Sequence, residues 1–209
     1  MKQEKQQPVI KQALGSNWNA LSKIVKQHYD ITPGEEATLF LRGEMSEVYH
    51  SNIAKLFLLP GRIFGALVPY RGKNIPTIVK NTTTTNNKRA MFWHRTLNFP
   101  NRPEVVFQSR MEYLADNEII EYVKYGMGIR MALYEENRAL VYKGLGYVLK
   151  IGRMRLPIPN WLILGSATIV EKALSEQLLH LDFKIIHPLF GKTFSYTGEF
   201  VILDHCSPA

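Results

Sequence analysis

From Ala37 to Leu203 the chain alternates apolar and polar residues in about ten short segments, with turn-forming residues between them. Period-two alternation buries one face of each strand, so the pattern predicts an antiparallel sheet rolled on itself. Strands are expected near 37–48, 75–84, 89–98, 104–114, 118–125, 127–135, 139–151, 162–175, 178–187 and 192–203. The connections carry turn chemistry: Asn86-Asn87, Asn101-Arg102-Pro103, Asp116-Asn117, Gly126 to Gly128, Glu136-Asn137, and Pro188 to Gly191. Leu156-Pro157-Ile158-Pro159 is expected to leave the ladder, because proline has no N–H to donate and restricts the residue before it.

Two stretches break the alternation. Trp18, Leu21, Val25 and His28 recur at helical spacing behind Ser16 as N-cap, and Pro33-Gly34 closes the run, which predicts a helical appendage over 16–30 docked by one side. Residues 52–68 are apolar with Pro60-Gly61 in the middle, which predicts two short helices forming a lid over one end of the sheet. Lys55, Arg62, Arg71 and Lys73 beside that lid also fit a segment lying on a membrane surface, and the stretch is too short to span one.

The expected fold is therefore mainly β: an antiparallel barrel of about ten strands, similar in element order to lipocalins and fatty-acid-binding proteins, with an N-terminal helix and a short helical insertion after the first strand. It occupies 13–203 as a single domain, between a flexible tail over 1–12 and another over 204–209. The alternative is a helix-grip, lipid-transfer-like fold, in which a curved sheet wraps a long C-terminal helix. Residues 178–203 read as strands and leave little room for that helix.

Composition narrows the function classes. With 209 residues, 45% of them hydrophobic, the chain can bury one sizeable core. The net charge of +8 is spread thinly along the sequence, densest at Lys2, Lys5 and Lys11, which argues against a nucleic-acid partner. The single cysteine, Cys206, cannot form a disulfide framework, and the first fifteen residues lack the apolar core of a signal peptide, so a cytoplasmic protein is expected. Six histidines show no metal spacing, and Gly126, Gly128, Gly144 and Gly146 lack the strand-turn-helix setting of a dinucleotide site. No metal and no cofactor are expected.

Candidate chemistry comes from assigning strand faces. Met91, Trp93, Arg95 and Leu97 share one face of their strand, as do Val105, Phe107, Ser109, Met111 and Tyr113 of the next. Ile119, Glu121 and Val123 share a face of the third, where the choice of side is open because Ile120 and Tyr122 oppose them. Were all three sets to point inward, Arg95, Ser109 and Glu121 would form a polar cluster in an apolar interior. Such a cluster reads in two ways: an ion pair that fixes sheet register, or an anchor for a ligand's polar head, Arg95 offering a fork of donors and Ser109 or Tyr113 a hydroxyl. Trp93, Phe107 and Met111 would then hold the ligand's apolar part. The function expected is binding of a small amphipathic or acidic, lipid-like molecule in the barrel. The alternative is a small enzyme of isomerase or cyclase type in the same cavity, with Glu121 as general base.

Several pieces also carry a family resemblance. They are Leu14-Gly15 with His28-Tyr29, Arg71-Gly72, Trp93-His94-Arg95, Phe107-Gln108-Ser109, Glu121 with Gly126 and Gly128, Leu156-Pro157-Ile158-Pro159, and Pro188-Leu189-Phe190-Gly191 leading to Tyr196-Thr197-Gly198. In this order the chain resembles an uncharacterised bacterial domain of unknown function that occurs alone or fused after saccharopine-dehydrogenase-like reductase domains. The resemblance supplies no mechanism. It implies a reductase as a partner and, with that, a third function, an interaction domain accessory to the reductase.

Overall fold

The computed structural model describes residues 6–55 and 68–206, with side chains in the last strand to residue 203. Alternation produces ten strands where the sequence predicts them, and β8 is an eleventh that it does not: β1 (Ala37–His50), β2 (Gly72–Thr84), β3 (Asn87–Leu97), β4 (Val105–Ala115), β5 (Glu118–Tyr122), β6 (Met127–Glu136), β7 (Ala139–Ile151), β8 (Met154–Ile158), β9 (Ser166–Ala173), β10 (Leu178–His187) and β11 (Gly191–Cys206). Neighbouring strands follow the order β6-β5-β4-β3-β2-β1-β11-β10-β9-β7, and β6 pairs with β7 to close the ring. All pairings are antiparallel, so the protein is a closed ten-stranded barrel with β8 as an additional strand on β7.

β8 corrects the expectation that Leu156 to Pro159 leaves the ladder. Val148 pairs with Pro157 and Tyr147 with Ile158. Proline is tolerated there because β8 bonds to β7 alone, and its other side needs no N–H donor. β7 is long enough to serve two partners along one edge: Leu140 to Lys143 pair with β9, and Tyr147 to Ile151 pair with β8.

The ambiguous faces of β5 are also resolved. Ile119 and Glu121 point inward, while Ile120 and Tyr122 pack with Val148 in a small cluster on the other side. Arg110 and Lys150 cover the Tyr122 ring at 5.0 and 5.5 Å. Gly128 makes this possible, since a Cβ there would stand 2.8 Å from the Tyr122 ring.

The N-terminal segment is part of the core. Helix α1 (Val9–Leu14) buries Val9, Ile10, Ala13 and Leu14, so the expected tail over 1–12 gives way to ordered structure well before residue 12. Gly15, at φ 55°, ends α1, and a 3-10 turn (Gly15–Ala20) leads through extended Leu21 and Ser22 to α2 (Lys23–Tyr29). The single helix expected over 16–30 is thus two pieces with an extended break. Trp18, Leu21, Val25 and His28 are buried, as their spacing predicted, and Tyr29 joins them. At the other terminus, β11 runs to Cys206, beyond the strand end expected at 203.

Hairpin turns alternate between the two ends of the barrel. The helices pack on β3 to β6 and on β9 and β10, at the end that carries the 85–86, 116–117, 137–138 and 174–177 turns. Ser22 N donates to the Arg138 carbonyl oxygen of one of those turns. This end is sealed. The opposite end carries the 98–104, 123–126, 152–153, 159–165 and 188–190 connections and, among the described residues, is open. Residues 52–55 start a helix there, and the rest of the expected lid, 56–67, lies outside the described residues.

Charge that is diffuse along the sequence is polarised in space. The open-end connections, with β8, carry Lys55, Arg71, Arg102, Lys124, Arg153 and Arg155 against Glu104. The sealed-end connections carry Asp30, Glu35, Glu36, Asp116 and Glu176 against Arg138, partly offset by Lys11, Lys23 and Lys26 on the helical segment.

Candidate functional site

Strand register assembles the polar cluster. Trp93 and Arg95 of β3 pair with Ser109 and Phe107 of β4, and Met111 of β4 pairs with Glu121 of β5. Three successive strands therefore send Arg95, Ser109 and Glu121 inward side by side. Arg95 Nη1 donates to Ser109 Oγ at 3.0 Å, and Nη2 donates to Glu121 Oε1 at 3.1 Å. The Ser109 hydroxyl donates to the same Oε1 at 2.5 Å. The guanidinium also lies over the Trp93 ring at 4.3 Å and the Phe107 ring at 5.1 Å. Pairing, hydrogen bonds and ring faces together make a buried arginine tolerable. Burial is the strongest single influence and works against its charge, yet Glu121, Tyr196 and Tyr29 together leave the Arg95 pKa raised.

Above this cluster the barrel holds a cavity of about 430 Å³, directed toward the end that the described residues leave open. Its wall is apolar, built from residues such as Leu97, Met131, Leu164, Phe183 and Phe194, except for Arg95, Glu121, Tyr147 and Tyr196. Tyr147 is occupied, since its hydroxyl donates to the Gly165 carbonyl oxygen at 3.0 Å. Tyr196 packs against Phe183 and Phe194, with ring centroids at 4.9 and 5.8 Å, and its hydroxyl has no hydrogen-bond partner among the described residues. Burial, with Arg95 opposing and Glu121 and Glu171 assisting, pushes that hydroxyl up to about 12, so it remains a proton donor at any physiological pH.

A second polar group lies deeper, against the helical plug. His28 Nδ1 is 3.1 Å from Glu171 Oε2, Tyr29 donates to Glu171 Oε1 at 2.7 Å, and Tyr142 donates to the Tyr29 hydroxyl at 2.5 Å. Burial, then the charge of Glu171, holds both tyrosines well above the usual phenol range. Between the two groups is a cavity of about 30 Å³, room for a single water. It is lined by His28 and Trp93, whose buried Nε2 and Nε1 have no partner among the described residues, and by Arg95, Glu121 and Tyr196 from the cluster above. The two polar groups therefore face the same small cavity.

The structure brings most of the predicted site residues together. Arg95, Glu121 and Phe107 line the large cavity, Trp93 and Met111 line the small one, and Ser109 bonds to both charged partners. Tyr113 is the exception: it is 37% exposed and lines neither cavity. It sits where the β4–β5 ladder shifts register next to the sealed-end turn, so the inward alternation is lost at that position. His28, Tyr29, Tyr142, Glu171 and Tyr196 were not selected from the sequence. Glu171 carried the same signal as Glu121, a carboxylate sharing a strand face with Ile169 and Ala173. Tyr196 reads in sequence as a packed aromatic beside a glycine, which it is, but its uncommitted hydroxyl needs the closed barrel to be seen.

Among the described residues no group of three or more potential ligands is placed to hold a metal ion. No described helix is long and apolar enough to cross a membrane. A family model matches residues 21–200, from the end of the 3-10 turn to the last strand, and its description is a domain of unknown function, DUF4166. No curated protein and no solved structure matches the chain.

Proposed function

The chain belongs to the DUF4166 family, a domain of unknown function, and from the geometry of its barrel we propose that it binds a small amphipathic molecule. The observation that supports this is an apolar cavity of about 430 Å³ in which Arg95, Glu121 and Tyr196 meet on the inner wall, where it adjoins the small cavity. The ligand's apolar part lies along Phe107, Met131, Phe183 and Phe194, and its polar end meets that wall.

The pairing of Arg95 refines the kind of head group. Its charge is already compensated by Glu121 at 3.1 Å, so a second carboxylate would meet both an opposing charge and a pair it must break. A hydroxyl or carbonyl suits the wall better. Among the described residues Glu121 Oε2 carries no hydrogen bond and can accept one, while the remaining Arg95 N–H groups and the Tyr196 hydroxyl can donate. The head is therefore neutral and polar.

Displacement of Nile red from the barrel by a fatty alcohol and by the fatty acid of equal chain length tests both statements. The alcohol is expected to compete at least about tenfold better, the scale of a hydrogen-bonded neutral head against an uncompensated buried charge. Equal or stronger competition by the acid refutes the neutral head. Failure of both to compete refutes the binding barrel.

The same two uncommitted groups support a second reading, acid–base chemistry on a bound molecule, with Glu121 as base and Tyr196 as donor. Glu121→Gln would then abolish turnover while leaving Nile red binding within about twofold.

A further inference from the structure

The open end of the barrel exposes large apolar side chains. Leu189 is 79% exposed, Met154 65%, Trp161 61%, Ile151 58%, Leu162 54% and Phe190 47%. They fall on two neighbouring connections and one hairpin tip. Ile151 pairs with Met154 across the β7–β8 turn. Trp161, Leu189 and Phe190 are tied together through His187, whose Nε2 is 2.7 Å from the Trp161 carbonyl oxygen, whose Nδ1 accepts from Leu189 N at 3.1 Å, and whose ring stacks on Phe190 at 4.5 Å. The exposed apolar rim is thus held in place by the barrel itself. Leu162 also lines the large cavity, so the rim and the cavity are continuous.

Basic side chains stand among these apolar ones. Lys124, Lys150, Arg153, Arg155 and Lys192 belong to the same end of the barrel, and none makes an ion pair among the described residues. Glu104 is the acidic residue of these connections. Exposed aliphatic and aromatic groups in a basic surround match an anionic bilayer, where apolar groups enter the acyl boundary and cations meet the headgroups. A soluble acidic partner would satisfy the charges and leave the protruding apolar side chains in water.

We propose that the open rim docks on the surface of an anionic phospholipid bilayer, which brings the mouth of the cavity against the membrane. The proposal goes beyond ligand binding and stands on the rim alone, so failure of the Nile red test leaves it intact.

The chain carries its own reporter. Of its three tryptophans, Trp18 and Trp93 are buried and Trp161 is exposed. Full-length protein mixed with vesicles of about three parts phosphatidylcholine to one of phosphatidylglycerol is expected to co-sediment, to shift its tryptophan emission to the blue and to resist acrylamide quenching. Vesicles of phosphatidylcholine alone should give none of these three effects. The combined change Lys124→Glu, Arg153→Glu and Arg155→Glu, all outside the core, should lower vesicle affinity at least about tenfold without altering the circular dichroism. Trp161→Phe should still sediment and lose the emission shift. Equal sedimentation of wild type and the triple variant overturns the proposal. An emission shift that survives Trp161→Phe overturns it as well, because the signal would then come from the core. Binding to heparin with no vesicle-induced shift would assign the basic rim to a soluble polyanion and overturn the bilayer.

Discussion

The sealed and open ends of the barrel hold similar chemical parts in opposite states. At the sealed end Glu171 has both oxygens engaged, by His28 and by Tyr29, and Tyr142 extends the chain. At the open end Glu121 also has a cationic and a hydroxyl partner, but both use Oε1, and Tyr196 nearby has no partner among the described residues. The difference lies in what covers them. The helical plug excludes solvent from Glu171, and a buried carboxylate under such a cover must be satisfied from within. The walls around Glu121 leave a cavity, so part of its bonding capacity faces open space. At the sealed end both carboxylate oxygens are used; at the cavity one is left over, and the proposed ligand would use it.

Alkaline titration separates the two ends and has the largest expected effect. Burial raises the pKa of Tyr29 and Tyr142 at the sealed end and of Tyr147 and Tyr196 at the cavity. A phenol whose folded pKa lies above its unfolded 10.0 contributes stability that is complete below that value and is lost as pH rises through the folded value, about 12 for Tyr196. Four such groups add. Urea midpoints are expected to fall steeply from about pH 10 upward through about 12, and a flat profile there would show that these hydroxyls are not buried. Among these four, the first tyrosinate step should belong to Tyr196 and be removed by Tyr196→Phe, while the sealed pair holds out to higher pH.

Substitution of the carboxylates sharpens the contrast. Glu171→Ala strips His28 and Tyr29 of their shared acceptor in a covered site, at a cost of about 3–5 kcal/mol in urea unfolding. Arg95→Leu leaves Glu121 with Ser109 and access to the cavity, so a smaller loss of about 2–3 kcal/mol is expected. Adding Glu121→Gln to Arg95→Leu should restore part of that loss, which a double-mutant cycle measures directly. Equal costs at Glu171 and Arg95 would erase the distinction between the two ends.

How much of this was legible in the sequence follows from distance along the chain. β3, β4 and β5 are joined by short connections, so alternation alone places Arg95, Ser109 and Glu121 side by side. The sealed network joins residues separated by 142 and 143 positions, and it exists only once β7, β9 and the helical segment meet around the closed ring. No local pattern encodes that closure. The polarity of charge was hidden for a related reason: the acidic and basic connections alternate along the sequence and separate only when successive turns fall at opposite ends. Pro157 misled because its tolerance depends on β8 being bonded on one side, a property of topology and not of the residue. Tyr113 misled in the opposite sense, since alternation carries on through a strand end where the ladder itself slips.

The smallest effect is the most discriminating. Tyr196→Phe removes a hydroxyl that no described group bonds, so the fold should lose less than about 0.5 kcal/mol, within the range of an innocuous change. The ring remains and keeps its packing on Phe183 and Phe194. If the hydroxyl serves the ligand, affinity for a fatty alcohol should fall about fivefold to tenfold, the worth of one neutral hydrogen bond, while Nile red, which needs only the apolar walls, binds as before. A variant with unchanged stability and unchanged alcohol affinity would show that Tyr196 is a packing residue and would move the ligand's head entirely to Arg95 and Glu121. A loss of stability above about 1 kcal/mol would mean that the hydroxyl has a structural partner, and the contrast between the fully engaged Glu171 and the uncommitted groups at the cavity would no longer hold.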